Sequence, residues 1–246
     1  MSERILPLLF RGRAATTSGP AAAKRTGRPA KLTVDAVVDR AIAHADADGL
    51  DAVTMARLAA DLGAGTMTLY SYVPSRDDLI DLMVDEVSAR RALPGPGDPR
   101  PEAWRDQVLL YAERTRAMYA EHVWLAQISQ IRPPPGPGML AEREYVLSTV
   151  AGLGLPPARV NTAAVTIQTF VVSAARGEAE NELLRRASGQ TTEQWWQDRS
   201  RLWEDYFDVE RHPTMNDVWL AGGFTDEQED PYAYGLGLIL DGITRG

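Results

Sequence analysis

The chain has 246 residues, 44% hydrophobic and 24% charged, with a formal net charge of −8 and no cysteine. That length holds one large domain or two modest ones, and that composition excludes a wholly disordered chain. Lack of cysteine removes disulfides, thiolate catalysis and cysteine-ligated zinc. The charge is unevenly placed from the first element onward. Residues 1–32 hold seven basic side chains against Glu3 alone, a local charge of +6, which leaves −14 for residues 33–246. This arm is rich in Ala, Gly, Thr, Pro and Arg, lacks an apolar period and is expected to be disordered. Such an arm suits a polyanion touched locally, and it equally suits a solvated tail.

From Thr33 the pattern turns helical. Val34, Val37, Val38, Ala41, Ile42 and Ala45 recur at amphipathic spacing, with Thr33 placed to cap the start and Gly49 to end it. A shorter helix begins near Thr54 with Met55, Leu58, Ala59 and Leu62 on one face, and stops at Gly63. A third of barely two turns runs from about Thr66 to Tyr72, and Ser75-Arg76-Asp77-Asp78 caps a fourth that reaches about Arg91. Leu93–Pro101 is too proline-rich for a helix and reads as a domain boundary. Further helices are expected over about 102–130, 139–153, 157–187, 192–208 and 226–244, with breaks between them that include Val209–Thr225. Strand-like alternation is absent, so the fold class is all-α.

Two short helices joined at a glycine turn form a helix-turn-helix pattern. The helix from Thr66 keeps only Leu69, with Val73, for the core, which leaves the rest of its surface for a major groove. Thr66, Thr68, Ser71 and Tyr72 carry groups that donate and accept, and Tyr70 adds an apolar ring with a hydroxyl. Thr33, Thr54 and Ser75 sit at helix N-termini, where backbone N–H groups favour phosphate. The spacing from Leu32 to Val87, carried by Thr54–Gly63 and by Thr68-Leu69-Tyr70-Ser71-Tyr72-Val73-Pro74-Ser75-Arg76-Asp77-Asp78-Leu79, resembles the tetracycline-repressor (TetR) family of bacterial transcription regulators. The resemblance implies that Thr68 and Tyr70 touch double-stranded DNA and that Thr66 and Met67 face bases. It places Tyr72 where a histidine is frequent, and Arg76 where the family has a phosphate-contacting lysine. Met67 offers only apolar contact, which suits a thymine methyl. Ala56 stands where the tetracycline repressor itself has a base-reading arginine, so its operator sequence does not transfer. In the arm, Arg25 and the Gly27-Arg28-Pro29 core look like a minor-groove hook.

From about Glu102 to Gly246 the chain resembles the C-terminal class of the tetracycline repressor, in helix order and in the ending Tyr232–Ile243. The resemblance implies a two-fold homodimer. Gly235, Leu238, Ile239 and Gly242 of the final helix would meet the second copy, with Ala163, Ile167 and Val171 of the long helix. Glycines are poor helix formers, so close helix approach is a physical reason for them there. The resemblance also implies an apolar pocket. Candidate lining residues are Trp104, Tyr111, Thr115 and Met118, then Trp124, Gln127, Ile128 and Ile131, with Gln168 and Phe170 from the long helix. Each of these also fits an ordinary core position. Tyr111 and Ser129 fall where the tetracycline repressor has its drug-binding asparagine and magnesium-ligating histidine, so neither tetracycline nor magnesium is implied. Trp195, Trp196, Trp203, Tyr206 and Phe207 recur at helical spacing and read as packing, not a cofactor cage.

The expected architecture is a disordered basic arm over 1–32 and a three-helix DNA-binding domain with its connecting helix over 33–91. A larger helical effector-binding and dimerisation domain follows over 102–246. His44, His122 and His212 stand far apart and form no His-x-x-x-His pair, so neither metal nor other cofactor is expected. No apolar run reaches the roughly 18 residues of a membrane span, and the opening one is too short for a signal peptide, so a cytoplasmic protein without a membrane partner is expected. The function expected is a ligand-responsive regulator, a repressor, that binds a palindromic operator as a homodimer and leaves it on binding a small molecule. The alternatives are a regulator controlled by a protein partner, an activator, and an all-α enzyme, for which no catalytic motif speaks. Replacing Arg25 and Arg28 by alanine is expected to weaken DNA binding and flatten its dependence on salt, measured by operator titration across ionic strength. An unchanged salt slope would remove the arm from the interface.

Overall fold

The computed structural model describes residues 5–12, 32–224 and 230–245, and every regular element among them is helical. Compactness divides the chain into two units, Met1–Ala179 and Glu180–Gly246. The proline-rich segment Leu93–Pro101, expected as a boundary, lies inside the first unit. The first unit holds α1 (Ile5–Leu9), α2 (Val34–Asp48), α3 (Met55–Asp61), α4 (Thr66–Tyr72), α5 (Arg76–Arg90), α6 (Trp104–Glu121) and α7 (Pro137–Ala151), with most of α8 (Pro157–Ser188).

One expectation for the arm fails at its start. Ile5 and Leu9 lie one turn apart on the same side of α1 and are buried, with α1 packed on α5. Arg11 then pairs with Asp35 at 2.6 Å and Glu86 at 3.4 Å, which fixes the end of this turn to α2 and α5. The burial of Ile5 and Leu9 orders a stretch whose composition otherwise reads as a tail. The arm residues Arg25 and Arg28 lie outside the described residues.

The head follows its sequence closely. Thr33 caps α2, Thr54 caps α3 and Ser75 caps α5, each accepting a backbone N–H from the residue three positions on. Between α3 and α4 the chain makes a full Schellman turn: Ala64 N–H donates to Ala59 O at 2.9 Å and Gly63 N–H to Ala60 O at 3.2 Å. Gly63 takes φ of 62° there, a conformation that disfavours any residue with a Cβ. Val37, Leu58, Leu69, Val73, Leu79 and Leu82 meet in one core with no exposed surface, each worth roughly 1.5–3 kcal/mol of burial.

The body departs from expectation in its helix ends. α6 stops at Glu121 instead of running to about 130, and a 3₁₀ stretch (Val123–Gln127) follows. The cause is a long-range contact: Asp46 at the end of α2 accepts the indole N–H of Trp124 at 2.8 Å and lies 2.8 Å from His122 Nδ1, which turns the chain toward the head. α7 crosses α5 with almost no separation. Asp85 of α5 accepts the N–H groups of Gly138 at 2.9 Å and Met139 at 3.3 Å, so a carboxylate from one helix caps another. A Cβ on Gly138 would fall within contact distance of the Asp85 carbonyl oxygen and 2.9 Å from the Ala89 nitrogen.

The second unit contains the end of α8, then α9 (Thr192–Gln197), α10 (Pro213–Leu220) and α11 (Pro231–Arg245). The helix expected over 192–208 is α9 followed by a π-helical turn at Leu202–Tyr206, and the break expected over 209–225 contains α10, which Pro213 opens. The aromatic group stacks on itself: Trp195 meets Trp196 edge-on at 4.9 Å between centroids, and Trp203 lies 5.6 Å from Phe207. Among the described residues no helix is long and apolar enough to cross a membrane, and no group of acidic or histidine side chains is disposed to hold a metal. Replacing Gly138 by alanine is expected to cost about 1–3 kcal/mol of stability and roughly 2–4 °C of melting temperature for each kcal/mol. Gly152→Ala, where a Cβ meets nothing within 4 Å, serves as the neutral control in the same thermal melts.

Candidate nucleic-acid interface and ligand cleft

The residues expected to read DNA lie on α4. Leu69 is its one buried residue, while Thr66, Met67, Thr68, Tyr70 and Ser71 are all exposed. Met67 is 81% exposed and Tyr70 41%, a degree of exposure that costs apolar side chains solvation unless something covers them. Ser71 Oγ donates to Thr68 O at 2.6 Å, which leaves its oxygen as an acceptor, and Tyr72 is half-buried at the end of the helix. Thr33 and Thr54 spend an oxygen lone pair on their caps but remain exposed, each with a hydroxyl proton to donate outward.

Arg76 is not placed as expected. Its guanidinium turns inward, donating from Nε to Val53 O at 2.8 Å and from NH2 to Leu50 O at 2.8 Å. It satisfies carbonyls of the turn between α2 and α3, so it positions the head instead of reaching out as a free phosphate contact. Arg57, beside the interface, pairs with Asp48 at 2.5 Å.

A cleft of about 610 Å³ lies wholly in the first unit, among α5, α6, α7, α8 and the segment after the 3₁₀ stretch. Of the ten pocket candidates, Met118, Ile131 and Gln168 line it, Ile131 at the mouth and 88% exposed. Tyr111 and Thr115 are fully buried one layer behind and reach the wall through hydrogen bonds. The other five do not line it. Trp124 is buried with its N–H committed to Asp46, Gln127 is exposed, Trp104 lies under the Arg105 guanidinium, and Ile128 and Phe170 are half-buried away from the walls.

What the sequence reading missed is the charge. Arg91, at the end of α5, has a buried side chain and forms an ion pair with Glu142 of α7. Glu142 also accepts from Tyr111 Oη at 2.6 Å and from Gln168 Nε2 at 3.3 Å, and Arg91 donates to Thr115 Oγ1 at 3.1 Å. Burial opposes the charge of Glu142, yet Arg91 and these donors outweigh it and hold its carboxyl below the usual glutamate value. Burial raises Arg91's cost of charging too, and the Glu142 carboxylate overcomes it, so the guanidinium stays charged. Burial and the same carboxylate drive the Tyr111 hydroxyl well up and push Tyr119 to about 12, so both phenols remain protonated. Burial raises Asp85, partly offset by the two N–H groups of α7 that it caps.

Ala163, Ile167 and Val171, expected at a dimer interface, are buried within a single chain and so are not available to a second copy. On α11, Gly235 and Ile239 are half-buried, Gly242 is exposed, and Leu238 is 57% exposed beside Tyr234.

Residues 96–245 match a family model described as the tetracyclin repressor-like C-terminal domain. The HTH-type transcriptional repressor DrrR1 of Streptomyces coeruleorubidus is 36% identical over 212 residues, which is 86% of this chain and 77% of that protein. Apo ActR from Streptomyces coelicolor superposes with a TM-score of 0.70 at 31% identity, covering 89% of this chain and 98% of its own. ActR in complex with actinorhodin gives 0.69 at 30%, covering 88% and 99%.

Glu142→Gln leaves the Arg91 charge buried without a counter-charge and is expected to cost about 3–5 kcal/mol, read from urea unfolding at neutral pH. Because the folded carboxyl is held below the usual 4.5, its contribution is present above that pH and lost as pH falls through the folded value. The variant therefore loses part of the wild type's acid destabilisation, and parallel acid titrations of the two proteins check it.

Proposed function

Because the chain belongs to the tetracycline-repressor-like family of helix-turn-helix transcription regulators, we propose that it is a homodimeric repressor released from a palindromic operator by a small molecule. The observation that carries this reading is α5. Its first turn follows α4 across only Val73, Pro74 and Ser75, and its last turns supply Val84, Asp85, Ser88 and Arg91 to the cleft wall. One rigid helix is thus both the floor of the reading head and a wall of the ligand site.

In this mechanism Thr66, Met67, Thr68, Tyr70 and Ser71 read the major groove, while Thr33 and Thr54 donate to phosphate. The arm cations Arg25 and Arg28 add minor-groove contact. Two heads about one DNA turn apart, roughly 34 Å, require a palindrome. The second copy meets the α11 stripe formed by Gly235, Leu238, Ile239 and Gly242. A ligand entering the cleft presses on the contact between Asp85 and the α7 N-terminus and on the Arg91–Glu142 pair, tilts α5, and changes the head spacing. A coupling of about 1–3 kcal/mol lowers operator affinity about 5–150-fold, provided the ligand binds the tilted state better. ActR's complex with actinorhodin supports a small molecule as effector. An open cleft favours this over control by a protein partner, which would need no cavity.

Selection of DNA from a random pool is expected to enrich a palindromic site at moderate salt. Tyr70→Ala should reduce affinity for that site by about tenfold or more while leaving the melting temperature unchanged. Recovery of no sequence, or of sites indifferent to Tyr70, would sink the reading.

A further inference from the structure

We propose that the effector is an organic acid: a flat apolar body lying along α8 with a carboxylate seated on Arg176. The inference rests on the effector-cleft reading above and concerns the charge of what fills it.

Five ionisable side chains besides Tyr119 line the cleft, and they do not balance. Glu142 is matched by Arg91, and Asp85 is committed to the α7 N-terminus. Arg143 donates to Gln168 Oε1 at 3.0 Å and to Asn161 Oδ1 at 2.5 Å, amide oxygens that accept hydrogen bonds without cancelling a charge. Arg176 makes no hydrogen bond or ion pair among the described residues: Glu180, one turn further along α8, is exposed and makes no ion pair with it, and Glu178 is held by Arg116 at 2.7 Å. Two guanidinium charges without counter-ions therefore face one cavity, in a chain whose net charge is −8. A half-buried guanidinium is costly to leave without a partner, and its planar fork fits a carboxylate with two parallel hydrogen bonds.

The rest of the wall fixes the body of the ligand. Gln168, Val172 and Arg176 stand on successive turns of one face of α8, so Arg176 lies about 12 Å along the helix from the end where Arg143 is anchored. Val165 and Val172 line the cleft from α8, Met118 lines it from α6 and Met139 from α7, and methionine sulfur packs well against ring edges. A fused-ring acid spans that length. Arg176 takes the carboxylate because all five of its donors are open, whereas Arg143 already spends its fork on Gln168 and Asn161.

The test is calorimetric titration of the full-length protein with anthracene carboxylate and with anthracene carboxamide, a pair differing only in charge. The acid is expected to bind about tenfold tighter or more. Arg176→Gln should bring the acid down to the level of the amide, and Arg176→Lys should keep part of the preference, with circular dichroism melts reporting the fold of each. Equal binding of acid and amide, no binding of the acid, or a preference that survives in Arg176→Gln overturns the inference. Met118→Trp, which fills the cleft, separates this from the underlying reading. If both probes still bind that variant, or if bound acid leaves the operator complex intact, the effector cleft itself is misassigned.

Discussion

A backbone-to-backbone crossing governs the rest of this molecule. α7 enters its first turn so close to α5 that Gly136 and Gly138 leave room only for the Asp85 carboxylate and carbonyl. Asp85 then does for α7 what a serine or threonine does at the start of an ordinary helix, but from a different element. Two helices joined in this way have little freedom to slide independently, since any shear breaks charge-assisted bonds and drives backbone into backbone. α5 also carries Leu79, Leu82 and Met83 into the core of the head. The position of α7 is therefore felt at α4 through a short, stiff path.

The second tie is electrostatic and sits at the other end of α5. An arginine and a glutamate with buried side chains are expensive to desolvate, and a pair of apolar residues would give comparable stability. What the pair adds is geometry. Its two members come from α5 and α7, and the donors that satisfy Glu142 come from α6 and α8. Four helices thus meet on one carboxylate, so a small displacement of any of them leaves a buried charge incompletely satisfied. Such an arrangement tends toward discrete states over gradual deformation, as the proposed switch needs.

The head was legible because its signals are local. Caps at Thr33, Thr54 and Ser75, the glycine turn at Gly63 and the scarcity of apolar residues between Thr66 and Tyr72 each act within a few positions, and all of them appear as read. The body was less legible because its decisive contacts are long-range. Asp46 shortens α6 from 78 positions away, and Asp85 caps α7 across 53. The resemblance pointed to aromatic residues as pocket walls, yet several of them sit in the core or on the surface. A signal for the charged wall did exist. Glu142 falls one turn before Tyr145 and Val146 on the buried face of α7, and Arg91 falls four residues after buried Val87 on α5. Ionisable residues in register with an apolar stripe mark places where burial has been accepted for a reason. Arg76 shows the opposite hazard, since a resemblance transfers a position but not the direction in which a long side chain turns.

The Arg91–Glu142 pair has a further consequence for how this protein responds to its surroundings. Dissolved ions screen charges they can reach, and they reach a DNA–protein interface far more readily than an ion pair between buried side chains. Ionic strength therefore acts on a DNA contact far more than on this pair. A rise in salt loosens the grip on phosphate, while the cleft wall keeps its shape. Under the proposed mechanism, salt sets how tightly the unliganded protein holds DNA, while the shape of the wall that an effector would meet stays the same.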